Sequence, residues 1–202
     1  MLDSADRERI ARAIAEAEAR TAGEIVCVVA RAAGDYRTVP LVFALLVGLA
    51  LPLPLLFLTG FSAQRIQLVA LLAAGLCALL FSLPALRLRL VPRAVRRRRA
   101  HDAACREFLA RGLTRTRDRT GVLIFVAAAE RYAEVIADEG IACRVEARVW
   151  REAIEVLVTA LADGRPADGL VAAVGIVGRV LAEHAPPRTD DVDEMPSRVF
   201  LI

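Results

Sequence analysis

Apolar residues fall along this chain in three rhythms, and each predicts a different kind of element. Near the start, Ile10, Ala13, Ile14 and Ala17 recur at the spacing of a helix packed on one side. Asp3 or Ser4 is placed to cap it and Gly23 to end it. Glu24 to Ala30 (EIVCVVA) and Thr120 to Ala127 (TGVLIFVA) are instead continuous β-branched and apolar runs, the pattern of strands covered on both faces. The first of these is expected at the centre of its sheet. Tyr132 to Ala137 (YAEVIA) alternates and reads as the hairpin neighbour of the second strand, joined through Ala129 and Glu130. That turn has no Asn-Gly signal, which predicts a bulged or longer connection. Three more helices are expected. One runs from about Arg93 to Arg111 with Ala104, Cys105, Phe108 and Leu109 as its stripe, ended by Gly112. Glu146 to Ala162 carries Val149, Trp150, Ala153, Ile154, Leu157 and Leu161 on one face, before the break at Asp163-Gly164-Arg165-Pro166. Ala167 to Glu183 buries Leu170, Val171, Val174, Val177 and Leu181, and Pro186-Pro187 stops it.

The third rhythm is no rhythm at all. Between Thr38 and Leu86 lie two long apolar runs, interrupted by the single charge of Arg65. Leu41 to Leu58 and Ile66 to Leu86 would span about 27 and 31 Å as helices, against a hydrocarbon core of roughly 30 Å. Both are long enough to cross a bilayer as a transmembrane hairpin. Pro52 and Pro54 kink or shorten the first run in its far half, so a re-entrant hairpin stands as the competing reading.

The order helix, strand, hairpin, helix, strand, strand, helix, helix is that of an α/β protein with a mixed sheet and packed helices. The hairpin interrupts it as an insertion. Neither half alone covers its two-sided strands, so residues 1–37 and 93–187 are expected to reunite as one discontinuous two- or three-layer sandwich. Residues 38–92 form the hairpin with its basic flank. A polar tail, 188–202, ends in the apolar Val199-Phe200-Leu201-Ile202, which docks either on the domain or on the membrane.

Charge sharpens the membrane reading. The net charge is +3, yet Arg87, Arg89, Arg93, Arg96, Arg97, Arg98 and Arg99 all lie directly after the hairpin, so the basic character is local. A basic run can mark nucleic acid, but one abutting a membrane segment is read as a flank that sets topology and contacts anionic phospholipid. Nucleic acid is not expected as a partner. Arg31 and Arg37 precede the hairpin and only Arg65 occupies its loop, which puts both soluble segments and both termini in the cytoplasm of an inner-membrane, multi-pass protein. Four consecutive arginines on one helical turn point in four directions, so that turn is expected at headgroup level, outside the folded body. The charged start, lacking an apolar h-region, is not read as a signal peptide.

Candidate chemistry is sparse. No GxGxxG, P-loop, GxSxG or HExxH occurs. The four cysteines, Cys27, Cys77, Cys105 and Cys143, lack CxxC spacing and read as reduced, small hydrophobes. His101 extends the basic flank, His184 suits a helix C-terminus, Glu24 and Glu134 read as wet-face or interface charges, and Trp150 and Tyr132 as core. The best cluster for a hard cation is Asp118, Asp138 and Glu139, at the ends of adjacent predicted strands, where they would hold Ca2+ or Mg2+. Asp138-Glu139-Gly140 equally fits a strand-to-helix turn in which Asp caps the helix and Gly supplies a positive φ. No catalytic residue is assigned, and no organic cofactor is expected.

Four segments together carry a family resemblance. They are Gly23-Glu24-Ile25-Val26, Thr120-Gly121-Val122-Leu123-Ile124-Phe125, the run from Glu130 to Ile141 (ERYAEVIADEGI), and Asp163-Gly164 followed by Gly169-Leu170. In order and spacing the chain resembles the TPM-domain family over about residues 1–31 and 100–185. The resemblance implies a small α/β sandwich, and for its activity either an accessory or calcium-binding module or an acid phosphatase. The chain departs from the family in its inserted hairpin and in showing Asp118-Arg119-Thr120-Gly121 where Asp-Asn-Gly is usual. Two functions follow as expectations. One is a membrane-anchored binding or accessory module that meets another membrane or cytoplasmic protein, or a second copy of itself. The other is a divalent-cation-dependent phosphatase.

Overall fold

A computed structural model of the chain describes residues 2–34, 36, 38–83, 88, 90–187 and 198–202. Arg37 and Arg89 of the basic flanks, residues 84–87 at the end of the second apolar run and the polar tail 188–197 lie outside the described residues. Two compact units are present, Met1–Ala33 with Arg97–Ile202, and Gly34–Arg96.

The first unit is built on a mixed four-stranded sheet. Its strands are β1 (Ile25–Ala30), β2 (Val122–Ala127), β3 (Tyr132–Ala137) and β4 (Val199–Leu201), in the order β3-β2-β1-β4. β1 is central and runs parallel to both neighbours, Ile25 facing Val122 and Cys27 facing Val199, while β2 and β3 pair antiparallel. The β2–β3 connection is four residues long, closed by the Arg131 amide donating to Ala128 O at 3.2 Å, with Arg131 at φ 52°.

Every residue of β2 and nearly every residue of β1 is buried, as two-sided apolar runs require. One face carries Ile25, Cys27, Val122, Ile124 and Val126 against helices α1 (Ser4–Glu18), α7 (Ala147–Ala162) and α8 (Pro166–His184). The other carries Val26, Val28, Leu123, Phe125 and Ala127 under α5 (Arg93–Ala110), through Ala100, Ala103, Ala104 and Phe108. The sandwich therefore has three layers, not two.

Local chemistry explains most boundaries. Asp3 caps α1 in a reciprocal box, its carboxylate accepting from the Asp6 amide at 2.7 Å while Asp6 accepts from the Asp3 amide at 3.2 Å. Gly112, at φ 74°, ends α5. Two expectations are corrected here. α1 stops at Glu18, well before Gly23, because Glu18 turns to accept the Ile25 amide at 2.9 Å; Gly23 instead lets Leu181 of α8 pass, and a Cβ there would lie 2.8 Å from Leu181 Cδ2. Gly140 does not supply a positive φ. It lies in the short helix α6 (Glu139–Ala142), where any Cβ would overlap the Asp118 carbonyl and come within 2.7 Å of Arg119 O.

The apolar C-terminal segment docks on the domain as β4. The Arg31 amide donates to Ile202 O at 2.8 Å and the Ile202 amide to Val29 O at 3.1 Å. Phe200 lies beneath the Arg111 guanidinium, 3.5 Å from ring centre to Cζ, and Glu107 holds that guanidinium at 2.8 and 3.0 Å.

The second unit is a helical hairpin of α2 (Thr38–Ala50), α3 (Pro52–Leu58) and α4 (Ala63–Phe81). The first arm divides at Leu51, directly before Pro52, as a proline in a helical run requires. α2 packs on α4, with Phe43 and Phe81 ring centres 5.5 Å apart. Thr59 Oγ1 donates to Leu55 O at 2.6 Å and Ser82 Oγ to Ala78 O at 2.7 Å, so the hydroxyls at the arm ends are satisfied within the chain.

Candidate functional site

Among the described residues, two polar clusters on the α/β unit and the apolar surface of the hairpin stand out as candidate sites. The first cluster contains the expected cation ligands. Asp138 directly follows β3, is 5% exposed, and caps α6 by accepting the Glu139 amide at 2.8 Å. Arg119 stands before it in a left-handed turn, φ 56°, which Gly140 makes room for. Its Nη2 and Nε donate to Asp138 at 3.1 and 3.3 Å, and its Nη1 donates to Glu139 in a short ion pair. Asp138 and Glu139 do meet, but around a guanidinium. Among the described residues no three His, Cys, Asp or Glu side chains group to hold a metal. The positive charge that a hard cation would bring is already supplied by Arg119.

The second cluster joins α5 to β3 and is not visible as a motif. The alternation of β3 places Tyr132 and Ile136 on the face that α5 covers, and Glu134 lies between them on that face. His101 Nδ1 lies 2.9 and 3.0 Å from the two Glu134 carboxylate oxygens. The Tyr132 hydroxyl donates to Glu134 Oε2 at 3.0 Å. One helical turn on, Cys105 Sγ lies 3.6 Å from His101 Nε2. Burial, then the carboxylates of Glu134 and Asp102, push the Cys105 thiol up from its ordinary value. Burial and Glu134 likewise push the Tyr132 phenol up, with Arg97 acting the other way. The sequence alone reads as basic flank at His101, small hydrophobe at Cys105, wet-face or interface charge at Glu134 and core at Tyr132. The signal in the sequence is the i, i+4 spacing of His101 and Cys105 on one helix, but Glu134, which His101 meets, lies 33 residues further along the chain.

The third feature is the hairpin surface. Two helical stretches, Thr38–Leu58 and Ala63–Phe81, have mean hydropathies of 2.7 and 1.8 and are long and apolar enough to cross a membrane. Their large side chains face outward, with Leu45, Leu49, Phe57 and Leu58 between 71% and 82% exposed. Of the arginines that follow, Arg97 and Arg98 are exposed and Arg96 and Arg99 half-buried, and the buried stripe of α5 begins at Ala100. The arginine turn is thus continuous with the core-packing helix, and only half of it is fully exposed.

No family model matches the chain. No curated protein matches it either. A solved structure does. The NMR structure of BA42 protein from the psychrophilic bacteria Bizionia argentinensis superposes with a TM-score of 0.62 over 100% of this chain and 96% of that one, at 19% sequence identity. At that identity the likeness is one of fold.

Proposed function

We infer that this chain is a membrane-anchored binding or accessory module of the TPM type. The hairpin holds it in the bilayer, the arginines contact anionic phospholipid, and the α/β domain engages another membrane or cytoplasmic protein at the cytoplasmic face of the inner membrane. The observation carrying this reading is the outward-facing apolar surface of α2–α4. Soluble proteins rarely leave contiguous apolar patches beyond a few hundred Å² in water, and here two complete helices present one. The BA42 likeness supports the α/β sandwich that the TPM resemblance implies. The alternative, a divalent-cation phosphatase using Asp118, Asp138 and Glu139, is opposed by the placement of Arg119, which already bonds two of the three carboxylates.

The test uses the full chain in inverted and right-side-out membrane vesicles. In a Cys143→Ser background, since Cys143 is exposed, Gly60→Cys places one thiol in the loop between the arms, where nothing lies within 4 Å. An impermeant maleimide is expected to label it only from the non-cytoplasmic side. Labelling from the cytoplasmic side alone, or release of the chain by alkaline extraction, overturns the spanning anchor. Hydrolysis of a generic phosphate ester that requires Ca2+ or Mg2+ and disappears in Asp138→Asn would restore the phosphatase.

A further inference from the structure

The edge of β1 that β4 fills is built as a groove for an extended peptide. Cys27 lies opposite Val199, Val28 opposite Phe200 and Val29 opposite Leu201, all parallel, and the Arg31 amide and Val29 carbonyl then bond Ile202. Alternation sends Val199 to the core under α1, α7 and α8, and Phe200 to the core under α5. The pocket for Phe200 does not need Phe200. Arg111, whose guanidinium roofs the ring at 3.5 Å, is fixed by two bonds to Glu107, and the two side chains are only 17% and 23% exposed. The backbone groups that receive the strand belong to β1, which β2 holds along six residues on its other side. The groove therefore stays formed when its occupant leaves.

That occupant is weakly held. β4 has three residues where β1, β2 and β3 have six each, it is outermost in the sheet, and its end is open to solvent, Leu201 being 43% and Ile202 51% exposed. Short exposed elements of this kind open at a small fraction of the free energy of global unfolding. Addition of a strand to a sheet edge is also a general mode of peptide recognition, in which main-chain bonds give affinity and pockets for alternate side chains give specificity. We propose that the β1 edge is the surface by which the α/β unit takes a protein partner, whose extended segment carries an aromatic residue between aliphatic ones, runs parallel to β1 and displaces β4. β4 is then a tethered competitor that keeps the groove shut until such a segment arrives. The proposal deepens the accessory reading and rests on it for a protein partner, but the two fail separately, the anchor by maleimide labelling and the groove by peptide binding.

The experiment uses the full chain in detergent micelles and a fluorescent peptide with the sequence of residues 198–202, its all-D form controlling for partition into the micelle. Affinity for the parent is reduced by the fraction of time that β4 is away. Phe200→Ala weakens β4 and leaves the groove intact, so it should bind the peptide at least about tenfold more tightly than the parent. A peptide with alanine in place of its phenylalanine should bind that variant at least about tenfold more weakly. In the unaltered protein, the Ile202 amide should exchange with deuterium about 100-fold or more faster than the Val122 amide, which donates to Glu24 O at 2.8 Å. Absence of binding to Phe200→Ala, equal binding by parent and variant, equal binding of the L and D peptides, or an Ile202 amide as slow as that of Val122 overturns the proposal. So does a parent that dimerises with concentration and is returned to monomer by the peptide, since the occupant is then a second copy of this chain.

Discussion

Two glycines on α8 make one substitution with opposite consequences. At Gly178, which is buried, an added Cβ would lie 2.6 Å from Ala17 Cβ of α1 and 3.5 Å from Ala17 Cα. Carbon atoms rest at about 3.5–4.0 Å, so the helices would have to part by about 1 Å, and a methyl group has no rotamer by which to escape. Overpacking of this kind costs about 1–3 kcal/mol, against which alanine in a helix interior returns at most about 1 kcal/mol over glycine. Gly178→Ala should therefore lose about 1–2 kcal/mol. Gly175 lies three residues earlier, exposed, with nothing within 4 Å of an added Cβ. Only the helix preference acts there, so Gly175→Ala should gain about 0.5–1 kcal/mol. At about 4 °C per kcal/mol for a domain of this size, the two variants should melt roughly 6–12 °C apart, on opposite sides of the parent. Trp150 is the sole tryptophan and packs partly buried on the core of the α/β unit, so its fluorescence follows that unit and not the hairpin. A Gly178→Ala protein melting at or above the parent refutes the close approach of α1 and α8.

Two further outcomes follow from the same physics. Gly140→Ala drives a methyl into the Asp118 and Arg119 backbone, so its Trp150 melting temperature should fall further than that of Gly178→Ala; an unchanged value would mean that the two backbones do not meet. Burial, with a smaller contribution from Glu18, pushes the Cys27 thiol up. A folded pKa above the unfolded one gives stability that is full below the unfolded value of about 8.5 and is lost as pH rises through and beyond it. The parent should lose more melting temperature than Cys27→Val between about pH 8 and pH 10. Parallel pH profiles would count against burial as the cause.

The elements legible in the sequence are those whose signal is local and long. β1 and β2 declare themselves as continuous apolar runs because both of their faces are covered, and α7 and α8 because one stripe of each meets the sheet. The hairpin declares itself because its two runs are apolar all round and each is long enough to cross a membrane. What was not legible depends on distant partners. β4 is three residues long, too short for periodicity, and is a strand only because β1 offers it a free edge. Arg119 enters among the expected cation ligands because a left-handed turn points it back at Asp138, a conformation its residue type does not announce. Glu134 meets His101 only after α5 has settled on β3, so neither residue carries the pair in its own neighbourhood.

The central strand has a bearing on how the chain is made. Ile25 pairs with Val122, and Cys27 with Val199, so β1 emerges long before either neighbour that will cover its backbone. Until then it is an unpaired apolar strand, the kind of segment that aggregates during slow, non-local folding. Joining β1 to β2 means closing a connection of roughly 90 residues, whose logarithmic part alone is about 4 kcal/mol of entropy. The hairpin is already closed on itself, Thr38 to Phe81, by the packing of α2 on α4. That leaves about half the connection flexible and removes about 0.6 kcal/mol from the closure, near a threefold gain in its probability. The paired helices thus shorten the flexible connection across which the two halves of the sheet must meet.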